Sequence, residues 1–220
     1  MTREEFEKKY NEDPEFAPGW DAIEDSFKKV YVDQNPKHYG TILTSRAIFG
    51  GNEYLDGYSI YTSKNGYKHI VTFGMTELYG NLEAFGGEWS KWGYEMTIKL
   101  NEEKEEDCVW AINMLSNLAR YTFTSKDYFE PYHYTGNQGQ SLHVGVDSKI
   151  TALIFVPDTE IESVDTVYGK VEFLQLVGIT EEEYNWIKEN PGKIEELVEL
   201  MKKDNPYLVT DMKREKSYIK

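Results

Sequence analysis

Thiol chemistry is nearly absent from this chain: Cys108 is the single cysteine among 220 residues. One cysteine excludes an intrachain disulfide framework and fits a reducing compartment, so the expected location is cytoplasmic. Long apolar runs are missing too. No stretch approaches the length needed to cross a bilayer, and the opening Met1-Thr2-Arg3-Glu4-Glu5-Phe6-Glu7-Lys8-Lys9 is too charged for a secretory signal. No membrane partner is expected. Basic residues are outnumbered, 24 Lys and Arg against 39 Asp and Glu, for a formal net charge of -15. Such a surface repels phosphate backbones and lacks the basic clusters that neutralise them, so no nucleic-acid partner is expected. It attracts cationic partners, and it also serves solubility alone.

Catalytic and ligand-binding motifs are equally scarce. The histidines His38, His69, His133 and His143 stand in no HExxH helix and near no cysteine cluster. His133 and His143 could meet in a cleft, but they otherwise read as surface or structural histidines. Gly50-Gly51 and Gly86-Gly87 lack the strand-to-helix grammar of a phosphate loop, and there is no GxSxG elbow. Glu105-Glu106 reads as solvated charge at a helix start. The expectation is no cofactor, no metal and no enzymatic activity.

What is present is a mixed set of strands and helices. Along Gly93-Tyr94-Glu95-Met96-Thr97-Ile98-Lys99-Leu100 the apolar residues alternate with polar ones. That period predicts a strand with Glu95, Thr97 and Lys99 on a wet face. His69 to Gly74 reads as a second strand, joined to the first by a long Gly- and Trp-rich connection of the kind used for lids and binding loops. Trp20, Ile23, Phe27, Val30 and Tyr31 have helical spacing, with Pro18 before them and Asn35-Pro36 as the stop. Strands are also expected over 40–48 and 57–61, with Gly50-Gly51-Asn52 as a turn between them. Lys64-Asn65-Gly66 is a hairpin signal.

After an acidic run, Val109, Ile112, Leu115 and Ala119 form a helix stripe. Lys126 to Gly139 reads as irregular, Ile150 to Val156 as a covered strand, and Thr166 to Val177 as a hairpin or a strand bent near Gly169. Thr180-Glu181-Glu182-Glu183 is a capping box. Ile194, Leu197, Val198 and Met201 mark a last helix, and Leu208 to Asp211 a closing strand. The fold class is α+β, with a mixed, largely antiparallel β-sheet flanked by helices. Residues 1–17 form a short helix or an arm, and 18–216 the domain.

Polar and aromatic residues at loop positions are the candidate protein-binding surface: Glu77, Tyr79, Glu88, Trp89, Trp92, Asp158 and Asp211. Loop tryptophans rimmed by carboxylates can anchor an interface. Trp89 and Trp92 can equally fold back to plug the core edge. Asp158 and Asp211 each end a hydrophobic run, where a carboxylate either caps backbone or marks a pocket rim.

Several stretches, in collinear order, resemble the Suppressor of fused family. They include Gly19-Trp20-Asp21-Ala22-Ile23, Leu55-Asp56-Gly57-Tyr58, and the run from His69 through Phe73-Gly74 and Leu78-Tyr79-Gly80. Phe49-Gly50-Gly51, Gly93 to Leu100, Leu118-Ala119-Arg120-Tyr121, Tyr168 to Gly178, and Thr210-Asp211-Met212-Lys213-Arg214 complete the set. The resemblance implies the fold of the N-terminal domain of Suppressor of fused and a protein partner. Stand-alone bacterial members are thought to be immunity proteins against polymorphic toxins, often nucleases, which would make the partner a basic toxin domain. The alternatives are a regulatory or scaffold domain that takes a peptide by edge-strand addition, and an uncharacterised enzyme. The oligomeric state is left open.

Overall fold

Alternation along residues 93–100 does produce a strand, but one buried on both faces. The structure, a computed structural model, describes residues 1–40 and 54–219. Helices α1 (Arg3–Glu12) and α2 (Pro18–Lys28) precede strands β1 (His38–Gly40), β2 (Gly57–Thr62), β3 (Lys68–Phe73) and β4 (Trp89–Leu100). A 3-10 turn at Glu105–Cys108 leads into α3 (Val109–Ser125), then β5 (Tyr134–Gly136), β6 (Ile150–Pro157), β7 (Val164–Thr166) and β8 (Gly169–Thr180). Helix α4 (Glu181–Glu189), a second 3-10 turn at Pro191–Lys193 and α5 (Ile194–Lys202) follow. The remainder of the strand expected over 40–48 after Gly40, and the turn at Gly50-Gly51-Asn52, lie outside the described residues.

The strands form one sheet in the order β1-β2-β3-β4-β8-β6-β5, with β7 pairing onto β8. Every described pairing between strands is antiparallel except β4 with β8. Helix α3 covers one face, where its Ala111, Ile112, Leu115 and Ala119 meet Ile70, Met96, Ile98, Phe155 and Leu176. On the other face α2 packs Ile23 and Phe27 against Tyr61, Val71, Phe73 and Phe173. Beside it α4 and α5 pack Ile187, Leu197 and Met201 against Ile154, Val156, Val177 and Ile179.

This layering corrects the expected wet face. Glu95, Thr97 and Lys99 are fully buried, because β4 is paired on both edges and covered on both faces. Their polar atoms are matched inside the protein. Glu95 accepts bonds from the Gly74 N–H (3.0 Å), the Thr76 N–H (2.9 Å) and the hydroxyls of Thr76 and Thr72 (2.7 Å each). Thr72 in turn accepts the Met96 N–H at 2.9 Å. The β3–β4 ladder stops at Val71–Thr97, and these side chains take over where the strands part.

Other boundaries shift for local reasons. Helix α2 ends at Lys28 instead of running to Asn35, because the residues beyond it are held by the sheet: Tyr31 reaches His69, and Gln34 clamps both backbone groups of Thr62. Helix α1 starts on a capping box at Thr2 and docks by Phe6, which sits among Phe16, Phe85 and Tyr168. The expected irregular stretch contains the three-residue edge strand β5. The expected closing strand is reduced to one parallel bridge, Leu100 to Thr210. The hairpin around Gly169 and the capping box at Thr180 are present as expected.

Glu95→Ala is expected to lower stability by about 2–4 kcal/mol, since it leaves buried N–H and hydroxyl donors without an acceptor. Glu95→Gln keeps one acceptor oxygen and is expected to lose less. Urea unfolding of both variants checks the order; losses under about 0.5 kcal/mol, as at ordinary surface sites, would contradict it.

Candidate functional site

Two features meet where β6 ends: a buried charge cluster and an open groove. The cluster forms because the polar face of β4 is sealed. Lys99 Nζ lies 3.1 Å from Asp158, 2.9 Å from Glu160 and 2.5 Å from the Thr159 hydroxyl. His69 Nε2 is 2.9 Å from Asp158, and its Nδ1 is 2.9 Å from the Tyr31 hydroxyl. Thr97 and Tyr67 donate to Asp158 and Glu160 at 2.5 and 2.6 Å. Burial pushes the Asp158 carboxyl pKa upward, but His69, Lys99 and the Thr97 hydroxyl outweigh it and hold the group well below the usual carboxylate range. Burial and the nearby carboxylates raise Tyr31 and Tyr67. Asp158 also accepts the N–H groups of Glu160 and Ile161, so the cluster fixes the turn after β6. Tyr31, with His69 and Asp158 in line, resembles a relay, but none of the three opens to substrate: both the His69 and Asp158 side chains are 0% exposed.

The groove lies above, where β8 changes neighbour. Its first residues pair with β7, and from Leu174 onward it pairs with β6. On its other edge, β4 bulges between Trp89, opposite Lys170, and Tyr94, opposite Glu172. Left-handed backbone at Lys91 and Gly93 makes the bulge. Gly93 is required there, since a Cβ would stand 3.0 Å from the Trp89 ring. Gly169 allows the 87–89 backbone to press against the β7–β8 turn. The result is a cavity of about 430 Å³ between Trp89, Trp92, Phe129, Glu130 and Glu172.

That cavity has a neighbour on each side. It shares Pro131, Glu172 and Leu174 with a hollow of about 420 Å³ at Pro157 and Asp158. It shares Lys126, Tyr128, Phe129 and Glu130 with one of about 480 Å³ that reaches Tyr134, the first residue of β5. The three adjoin in a row, here called the trough, with Trp89 (47% exposed) and Tyr128 (53%) on its walls. Its far end meets a sheet edge: among the described residues β5 is paired on one side only.

The candidate residues divide among four places. Trp89 and Trp92 share the trough, with Glu88 exposed just before them and its carbonyl accepting the Lys170 N–H. Trp92 is half-buried and packs on Phe123 at 5.5 Å, so it serves the core as well. Glu77 and Tyr79 lie elsewhere: Glu77 is held through its N–H by Ser90, and the Tyr79 hydroxyl bonds Asp56. The Asp158 side chain belongs to the buried cluster. Asp211 caps a turn through the Lys213 N–H, beside a separate hollow near Arg214 and Tyr218.

The 74–92 connection is fastened along its length, by Tyr168 to Tyr79 and Asn81, by Gly86 to Val167 and by Trp92 to Met75. His133 bonds Glu130 while His143 stacks on Trp110, so the two do not form a pair. Among the described residues no group of three or more His, Cys, Asp or Glu could hold a metal ion. Cys108 is buried, and its thiol pKa is pushed up to about 12. Lys126, Tyr128, Glu130 and Glu172 also line the trough and are not among the residues singled out in the sequence. The dense aromatic run from Tyr128 to Tyr134 is a signal for Tyr128 and Glu130.

The family model described as Suppressor of fused protein (SUFU) matches residues 51–215. The chain belongs to the Suppressor of fused family. Curated relatives include the human and mouse proteins called Suppressor of fused homolog, each 30% identical to this chain over 215 residues. The match covers 89% of this chain and only 43% of the length of those relatives. Among solved structures, the one titled the Sufu-Fu complex superposes with a TM-score of 0.76 at 26% identity, covering 91% of this chain and 92% of that one. Drosophila Suppressor of Fused gives the same TM-score and identity, over 92% of this chain and 51% of its own. A SUFU homolog from Neisseria gonorrhoeae shares the fold, with a TM-score of 0.61 at 18% identity over 92% and 97% of the two chains. The α+β layering described above is that of the N-terminal domain of the Suppressor of fused family.

The Asp158 cluster has a pH signature. An unfolded aspartate titrates near about 3.9. With its folded pKa below that, Asp158 contributes stability fully above the unfolded value and loses it as pH falls toward the folded one. Asp158→Asn is expected to cost about 3–5 kcal/mol at pH 7, because Lys99 loses a buried partner. The deficit against the parent should shrink below about pH 4. Urea melts of both proteins across that range check it, and a deficit independent of pH would show that ionisation of Asp158 is not what stabilises the turn.

Proposed function

We propose that this chain is a non-catalytic protein-binding domain that takes an extended peptide segment of its partner along the trough and against the free edge of β5. The observation that carries this reading is that the three hollows adjoin, sharing wall residues, and reach Tyr134 on an edge strand. An extended segment laid there could add backbone bonds to β5 while its alternate side chains enter the hollows. The exposed rings of Trp89, Tyr121, Tyr128 and Tyr132 supply the large contact area that interface anchors use. A family relative solved as a complex with Fu supports a protein as the partner class. The binding unit in this reading is 18–216, with 1–17 an arm pinned by Phe6, and the location is the cytoplasm, supported by Cys108 being the single cysteine.

A second reading, immunity against a basic toxin domain, has the net charge of -15 as its support. It expects one stoichiometric basic partner that is released at high salt. The trough is a local feature and favours the first reading.

Selection of a random phage-displayed peptide library on the protein tests it. Selected peptides should bind the parent and Tyr10→Ala alike, and should weaken on the order of tenfold with Trp89→Ala or Tyr128→Ala, the loss of an interface anchor. Failure to enrich any sequence, or enrichment insensitive to both groove variants, would remove the proposal.

A further inference from the structure

The walls of the central cavity carry two lysines, Lys91 and Lys126, and two glutamates, Glu130 and Glu172, while Asp127, Asp158 and Glu162 line the hollows beside it. Within the central cavity the carboxylates have partners: Glu172 pairs with Lys170 at 2.7 Å, and Glu130 lies 3.5 Å from His133. Its ammonium groups make no ion pair: among the described residues neither Lys91 nor Lys126 has a carboxylate within ion-pair distance. Lys91 Nζ donates to the Gly74 carbonyl and sits 4.9 Å from the Phe123 ring, with two donors remaining. Lys126 Nζ sits 5.7 Å from the Trp92 ring. Phe123 and Trp92 are themselves in edge contact, so two like charges are held over one aromatic pair.

The backbone makes the placement more telling. Lys91 and Lys126 both adopt left-handed conformations, at φ of 53° and 68°. Lys126 is the residue that ends α3, a position where glycine is the usual and less strained choice. Strain of this kind is held where a side chain has a task.

We propose that Lys91 and Lys126 form a carboxylate-reading subsite in the trough, which selects an Asp or Glu side chain next to a bulky apolar residue on the bound peptide. This inference rests on the peptide-binding reading above. The apolar residue would enter the cavity between Trp89 and Phe129, and the carboxylate would lie between the two ammonium groups at its mouth. A singly charged carboxylate suits the site better than a phosphate, because Glu130 and Glu172 line the same cavity and would repel a dianion.

Three pools of fluorescein-labelled decapeptides test this. Each is random except for a fixed large apolar position and, two residues on, Glu, Gln or Lys. Fluorescence polarisation against the full chain should rank the pools Glu, then Gln, then Lys, with about a tenfold span that narrows as salt rises. Lys126→Glu should reverse the order. Lys126→Gly should raise the thermal midpoint by relieving the backbone, yet lose most of the preference for Glu. Equal binding of the three pools, or an order unchanged by Lys126→Glu, would overturn the carboxylate subsite and leave peptide binding intact. Absence of binding by every pool to the parent protein would overturn both.

Discussion

Lys99 and Asp158 meet with neither side chain exposed, and much of the molecule's shape follows from that contact. Burying an ammonium or a carboxylate alone costs several kcal/mol, so a central strand carrying Lys99 must be met by anions from elsewhere in the chain. Asp158 and Glu160 supply them from the turn after β6, and that turn is thereby fixed over β3 and β4. The same turn returns the chain to β7, which holds the first residues of β8. Glu95 does a parallel job two turns of the pleat away, gathering Gly74 and Thr76 as β3 ends. Between them, two buried carboxylates set the loops on either side of β4.

The trough is a consequence of how those loops force the sheet to divide. β8 cannot pair with β6 and β7 along the same stretch, so it exchanges one for the other near Phe173. Opposite that exchange, β4 bulges from Ser90 to Gly93 and turns Trp92 toward α3. A hollow opens where both neighbours of β8 depart from regular pairing. Bulges are common beside functional surfaces because they redirect side chains without breaking the strand. Here the bulge separates Trp89, left on the outside, from Trp92, drawn in against the core.

These dependencies explain what could be read from the amino acids and what could not. Hydrophobic spacing located α2 and α3, and turn chemistry located the hairpins and the Thr180 cap, because those signals are local. The burial of Glu95, Thr97 and Lys99 was not legible: alternation reports which residues share a face, and it is silent on whether a second layer covers that face. The partners that make burial tolerable lie far along the chain, 59 residues away for Asp158 from Lys99. β5 escaped notice for a different reason, since three residues carry no period. Among the candidate surface residues, Trp89 stands in the trough and Asp158 beneath it, whereas Glu77, Tyr79 and Asp211 belong to other neighbourhoods that only the fold separates.

Net charge illustrates the same distinction between a sum and a place. A total of -15 suggests a basic partner, yet part of that total never faces solvent. Glu95, Asp158 and Glu183 have fully buried side chains, and Glu160 is nearly so; they answer Lys99, Arg214 and backbone donors inside the fold. At the central cavity of the trough, the cations without a carboxylate partner among the described residues are Lys91 and Lys126. At physiological ionic strength, charges much beyond about 8 Å are largely screened from an exposed site. A peptide would therefore meet those lysines with Glu130 and Glu172 at the central cavity, and Asp127 and Glu162 in the hollows beside it, while the acidic helices would act chiefly on its approach. Long-range charge can set how fast a partner arrives; the groups lining the cavity decide which one stays.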